Sequence, residues 1–453
     1  MFTNQTTLLL DNPTQLNYGI AVADINHDGT FELFVAGFGF PNLVLKWNGQ
    51  GFVDIADEYL ADAERQAIGV AAGDIDGDGR EELYVLNTDT FGGRKNVGDR
   101  LFDVRDEQWT DLFSLPEYQE VQNLTAGRSV VALDRYGTGQ YGFFVANYGG
   151  PMRLYEFTPE GRLGDVAPEA ELNFVTGGRS VVALPLVSER MDLFAANERG
   201  SNFLFRNNGD GTFSEIAQEA GINDRFEHGR GVAILDTNES GCFDLAYGNW
   251  EGPHRLFVQT AQGHFTDQAT PILATPSRVR TVIAADFDND GYEELFFNNI
   301  GEPNRLFGQR DGVWVPLDIG DADEPSGLGT GAAVGDFDGD GRLELIIAHG
   351  ETDAQPLTLY HTPENNNAWL RVLPFTEQGA PARGAIVTLH AGGRTQRRAI
   401  DAGSGYLCQM EPVAHFGLGT LEHIDGVEIR WLDGATVTID TPQTHQLIRV
   451  AHP

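Results

Sequence analysis

Residues 69–88 read GVAAGDIDGDGREELYVLNT, a run of small and β-branched residues, an acidic loop, and a second apolar run. The loop from Asp74 to Glu82 has the form Dx[DN]xDGxxE, with acids at positions 1, 3, 5 and 9 and glycine at 6. Calcium is a hard cation that takes six to eight oxygens, and alternating acidic side chains converge on one point when a glycine permits the sharp turn. Flanking apolar strands, and a closing acid at position 9 rather than 12, set this loop apart from a helix-flanked EF-hand.

The same sentence recurs at a period of roughly fifty residues, the mark of a repeat architecture. It reads GIAVADINHDGTFELFVAGF (19–38), SVVALDRYGTGQYGFFVANY (129–148), SVVALPLVSERMDLFAANE (180–198), GVAILDTNESGCFDLAYGNW (231–250), TVIAADFDNDGYEELFFNNI (281–300) and GAAVGDFDGDGRLELIIAHG (331–350). A third strand follows in several repeats (NLVLKW, NFLFRN, HRLFVQ, NRLFGQ), and a fourth starts at Phe52, Phe213, Phe265 or Trp314. Four strands per repeat build a propeller blade, so the expected fold is an all-β, seven-bladed propeller over residues 1–362.

The seventh repeat runs from LTLYHT (357–362) into PENNNAWLRV without a fourth strand. Phe2 precedes Gly19 by the interval that separates Phe52 from Gly69, so residues 2–10 are expected to supply that strand and close the ring. Over residues 365–450 the repeat gives way to WLRVLP, AIVTLH, RRAIDA, VEIRWL, TVTID and QLIRV. That pattern predicts a second domain, a small β-sandwich or barrel.

Five loops carry a donor set for calcium. Complete acidic sets are Asp74, Asp76, Asp78 and Glu82; Asp286, Asp288, Asp290 and Glu294; and Asp336, Asp338, Asp340 and Glu344. Repeat one offers Asp24, Asn26, Asp28 and Glu32, and repeat five offers Asp236, Asn238, Ser240 and Asp244, the weakest set with two carboxylates. Repeats three (DRYGTGQYG) and four (PLVSERMDL) lack the donors and are expected to be metal-free. A single Asp-Gly pair would be only a turn signal, whereas five loops in fixed register predict about five calcium ions.

Charge points the same way. The 453 residues hold 67 acids and 30 lysines and arginines, a formal net charge of −37, which repels nucleic acid and anionic membrane surfaces. No apolar run is long enough to span a bilayer, and Met1 to Asp11 does not read as a signal peptide, which leaves a cytoplasmic location open. Two cysteines, Cys242 and Cys408, make a disulfide framework improbable.

Six residues before loop position 1, four successive repeats carry Arg128, Arg179, Arg230 and Arg280. In a blade, the loops between strands two and three lie opposite the calcium loops, so these arginines are expected at the channel mouth on the non-calcium face. There they would either bind an anionic ligand through bidentate contacts or pair with acids such as Glu198, Glu227 and Glu251. A solvated channel favours the second role. The neighbouring loops carry Phe38, Phe40, Tyr148, Trp250 and the insertion NTDTFGGRKNVGDR (87–100). Catalytic signals are weak: His228, His254 and His264 lack zinc spacing, and Ser404 lacks the GxSxG elbow.

The repeats resemble the FG-GAP/VCBS repeats of integrin α-chain propellers over about residues 1–362. RGAIVTLHAGG (383–393), DAGSGYLCQ (401–409), HFGLG (415–419) and VEIRWLDG (427–434) are similar to the ASPIC/UnbV domain. Together they resemble the cartilage acidic protein family. The resemblance implies an extracellular or cell-surface calcium-binding protein, and the leading expectation is an adhesion-like module with a protein or glycan ligand and no enzymatic activity, its oligomeric state open and compatible with a monomer. Bacterial relatives linked to enediyne biosynthesis imply an alternative, an enzyme or biosynthetic accessory using the channel as a pocket; a purely structural matrix protein is a third reading. The family's EGF-like module is not seen before Pro453, which fits a bacterial member.

Overall fold

A computed structural model describes residues 1–105, 108–261 and 263–453. Each acidic repeat folds as two antiparallel strands joined by the loop, because β-branched and small residues on both sides bury completely while the loop's glycines take positive φ. In the first unit, Asn17–Ala23, Glu32–Gly37, Leu43–Trp47 and Phe52–Asp54 pair in chain order. The second unit repeats this with Ala67–Gly73, Glu82–Asn87, Arg100–Arg105 and Gln108–Asp111.

Units three and four fuse along one edge. The long strand Gly142–Pro151 pairs with Val175–Leu184 through Tyr148, Gly150 and Pro151, giving one eight-stranded sheet. Units five and six are separate four-stranded sheets, beginning at Gly229–Leu235 and Val279–Ala285. The seventh has Gly329–Gly335, Glu344–His349 and Thr358–His361, and its outer strand is Thr3–Asn4, with Thr3 opposite His361 and Asn4 opposite Tyr360. Phe2 anchors that strand, its ring 4.9 Å from Phe287 in an edge contact. The innermost strands touch in chain order, and the seventh touches the first, so the sheets form a closed ring.

Beyond the ring, Ala368–Pro374 pairs antiparallel with Ala414–Gly419 and parallel with Leu447–Val450. A second sheet runs Arg394–Ala399, Ile386–Ala391, Gly426–Arg430, Thr436–Asp440. The two sheets share a core that includes Leu370, Val372, Leu389, Phe416 and Ile429, which makes a sandwich. No helix among the described residues is long and apolar enough to cross a membrane.

The central channel differs from the solvated one expected. Residues 402–410 leave the sandwich and thread into it, bonding to the innermost strands by backbone. Ala402 exchanges two bonds with Ala183, Gly405 two with Val232, Leu407 O accepts from Val70 N, and Gln409 O accepts from Val22 N. Gly405 has φ +93°, a conformation open to glycine at little cost. A Cβ on Gly19 would lie 2.1 Å from the Leu407 carbonyl oxygen, so the close approach requires glycine on the ring side too. Tyr406, Leu407 and Cys408 are buried in the plugged channel.

Candidate metal loops and the arginine mouth

The loops share a frame built by their own backbone. The position 1 carboxylate accepts the N–H of position 6: Gly79 to Asp74 at 2.9 Å, Gly291 to Asp286 at 2.9 Å, Gly341 to Asp336 at 3.0 Å. The position 9 acid uses one oxygen to accept the position 2 N–H, as in Ile75 to Glu82 at 2.7 Å and Phe337 to Glu344 at 2.8 Å. Its other oxygen meets a different neighbour in each loop, Lys46 at Glu32 and His361 at Glu344.

Side chains converge differently in each loop. Asp74, Asp76 and Asp78 bring ligand atoms within 4.8 Å of one another, as do Asp286, Asp288 and Asp290, and Asp338, Asp340 and Glu344 together with His361. A fourth group joins Asp76 and Glu82 to Asp103. Crowding buried carboxylates pushes their pKa values up. Burial first, then Asp76, lifts Glu82 to about 10, and burial lifts Asp286 to about 8. Burial likewise takes Glu344 to about 7 and Asp74 and Asp336 to about 6. An all-oxygen donor set whose members resist ionising side by side fits a hard divalent cation, which removes that repulsion.

The loops of units one and five assemble no such trio among the described residues. In unit one, Lys46 puts its ammonium among the donors, 2.5 Å from Asp28 Oδ2 and 2.7 Å from Glu32 Oε1. Asp24 and Asn26 both accept from Asp28 N–H. In unit five, Asp236 and Asn238 accept from Ser240 N–H, and Asp244 accepts from Thr237 N–H at 2.9 Å. In unit three, Asp134 accepts backbone N–H groups of Tyr136, Gly137 and Gly139, and in unit four Asp192 does so from Leu186, Val187 and Ser188.

Sequence reasoning missed the residue on strand three that faces position 9. The pairs Leu33 with Leu45 and Leu83 with Phe102 bring the next residues, Lys46 and Asp103, beside Glu32 and Glu82, while His361 pairs with Glu344. Asp103 adds a carboxylate to the second site. His361 Nε2 lies 2.7 Å from Glu344 Oε1, and that contact holds the imidazole above its ordinary pKa. The spacing from position 9 is not constant, because the 87–100 insertion intervenes in repeat two, so no motif exposes it.

The sandwich sits on the loop face. Arg371 bonds Asp336 Oδ2 at 3.0 Å, Gly417 N–H bonds Asp286 Oδ2 at 3.0 Å, and Arg394 bonds Glu239 at 2.6 Å. Arg383, fully buried, pairs with Glu81 at 2.8 Å.

On the opposite side, Arg128, Arg179, Arg230 and Arg280 do come together, around a cavity of about 530 Å³ floored by Tyr406 and Leu407. They are buried or half-buried rather than exposed as a solvated ring would be, because the plug closes the channel beneath them. Glu198 pairs with both Arg179 and Arg230, and Arg280 pairs with Glu351 at 2.8 Å. Glu227 and Glu251, expected partners, turn instead to Arg255 and Arg278. Among the described residues no carboxylate is in ion-pair range of Arg128, which bonds the Phe91 carbonyl. Trp250 stacks on Arg230 and Arg280, Tyr148 on Arg179, and Phe91 on Arg128. Burial alone would raise the Tyr406 phenol, but the four guanidiniums, Arg179 foremost, bring it down to about 8.

A family model described as "ASPIC and UnbV" matches residues 375–453, and one described as "FG-GAP-like repeat" matches 24–85, 189–247, 236–297 and 289–347. Cartilage acidic protein 1 of Xenopus tropicalis is 48% identical, covering 100% of this chain and 77% of that protein. The Homo sapiens protein of the same name is 47% identical, with 100% and 75% covered. A lectin structure, BP39L from Burkholderia pseudomallei, aligns with a TM-score of 0.49 and 13% identity over 78% of this chain and 99% of that one.

Proposed function

This chain belongs to the cartilage acidic protein family, and from that premise we infer an extracellular matrix or surface binding module whose ring is stiffened by calcium. The observation that carries the reading is the set of acidic clusters whose buried carboxylates resist ionising together. Calcium would be held by Asp74, Asp76, Asp78, Glu82 and Asp103; by Asp286, Asp288, Asp290 and Glu294; and by Asp336, Asp338, Asp340 and Glu344. Bound there, it would neutralise each cluster and fix the hairpin between the two inner strands. The loops of units one and five are weaker sites, the first because Lys46 already supplies a cation and the second because it has two carboxylates.

The sandwich rests on the loop face, so metal also firms the seat of the second domain. The free face, with its aromatic loops, is the surface offered to a protein or glycan ligand. The plug of residues 402–410 closes the channel beneath the arginine mouth, so a ligand is received at that mouth rather than along the channel. Counting bound metal per chain and melting the protein with calcium and with chelator tests the reading. At least three tightly held calcium ions and a chelator-sensitive melt are expected; a metal-free protein with a chelator-insensitive melt would refute it.

A further inference from the structure

We propose that the arginine mouth is a binding site for a small organic molecule carrying two oxyanion charges, seated on the guanidinium edges of Arg128, Arg179, Arg230 and Arg280. This deepens the binding-module reading, on which it rests, by giving the chemistry that the free face accepts.

Charge is the first argument. Four guanidiniums line the cavity against three carboxylates, Glu198, Glu351 and the exposed Asp89, which bonds Asn96, an excess of one positive charge. The pocket therefore keeps an excess of positive charge inside a protein of net charge −37, where free acids are abundant elsewhere. The excess is felt by its own members. Burial first, then Arg179, pulls Arg230 down to about 9, and the Tyr406 phenol falls as described.

Unused donors are the second and independent argument. The Nε atoms of all four arginines have no hydrogen-bond partner among the described residues and are closed off from solvent, so a ligand reaches them only if the guanidiniums turn toward the cavity they line. Unpaired buried donors are costly, and a guanidinium edge presents two parallel N–H groups that match a carboxylate, sulfate or phosphate. Phe91, Tyr148 and Trp250 cover guanidinium faces, and Glu198 and Glu351 take terminal donors of Arg179, Arg230 and Arg280, so a ligand binds by competing at those edges and most freely at Arg128, which among the described residues bonds only the Phe91 carbonyl.

Size is the third. A cavity of about 530 Å³ exceeds an inorganic ion, and Tyr18, Phe38 and Trp250 line the remainder, suited to an organic body between the charged ends.

The test is titration calorimetry of the calcium-loaded full chain with sulfate and with succinate at constant ionic strength, and acetate as the monoanion control. Saturable one-to-one binding of sulfate or succinate, stronger than acetate, is expected. Tighter sulfate identifies a tetrahedral dianion of the phosphate-monoester type, and tighter succinate identifies a dicarboxylate. Arg128→Gln should weaken binding about tenfold or more, since one charged donor pair is removed. Because Arg128 is paired with no carboxylate, its melting temperature should stay put. Arg280→Lys, which keeps the charge and loses the fork, should weaken binding as well. No saturable binding of either dianion, or equal binding in both variants, overturns the proposal. Calcium counted in the same samples separates failure of the pocket from failure of the metal loops.

Discussion

Replacing Lys46 by methionine converts the first loop from one that carries its own cation into one that must recruit it. The Lys46 ammonium is 2.7 Å from Glu32, whose side chain is fully buried, and 2.5 Å from the half-exposed Asp28. The exposed contact contributes little, about 0.5 kcal/mol, whereas removing the partner of a buried charge costs about 3 kcal/mol. Lys46→Met should therefore be less stable in chelator by about 3 kcal/mol. For calcium the sign reverses. A unit charge near 4 Å from a divalent ion repels it by about 2 kcal/mol even with aqueous screening, so removing it should tighten this loop about 30-fold. Calorimetry or native mass spectrometry of the two proteins at matched free calcium reads the effect as one additional ion per chain at low concentration. Identical stoichiometry and identical weak-site affinity would show that Lys46 swings away freely when metal arrives, and would refute the reasoning.

Asp103→Asn should selectively weaken the second loop, because it removes a carboxylate that the other loops lack; unchanged affinity in every site on calcium titration would count against its role. In chelator, thermal stability should fall between about pH 5 and about pH 8. The folded state holds protons on Asp74 and Asp336 to about pH 6, on Glu344 to about pH 7 and on Asp286 to about pH 8, so each loses up to about 1.4 kcal/mol per pH unit from the ordinary carboxylate range up to its own value and nothing beyond it. Saturating calcium binds the ionised forms and should abolish or reverse that slope, which melting curves at several pH values will read. Arg383→Met strands the buried Glu81 carboxylate and should cost about 3–5 kcal/mol in chemical denaturation, with a loss below about 1 kcal/mol counting against a structural role. Gly405→Val forces a branched side chain into φ +93° beside Cys408 and Thr281, and should release the plug. Cys408 should then alkylate rapidly, while in the parent protein only Cys242 reacts before unfolding.

The acidic loops were legible because their ligands lie within nine residues of one another, and alternation with a glycine at position 6 dictates their convergence whatever the rest of the chain does. The repeated apolar runs were legible for the same reason, since strand and turn periodicity is local. Arg128, Arg179, Arg230 and Arg280 could be placed on one face by their constant offset from the loop. Of their partners Glu198 could be read, close by in the chain, whereas Glu351 and Tyr406 could not, because they reach the arginines across the ring rather than along it.

What the amino-acid sequence alone determined was therefore the repeating unit: its strands, its loops and the donor set in each. The tertiary structure decided which loops gain or lose charge from strand three, through Lys46, Asp103 and His361. It also decided that residues 402–410 fill the channel, through bonds to strands more than 170 residues away. Contacts at such separation depend on ring closure and domain seating, which leave no spacing in the chain to read.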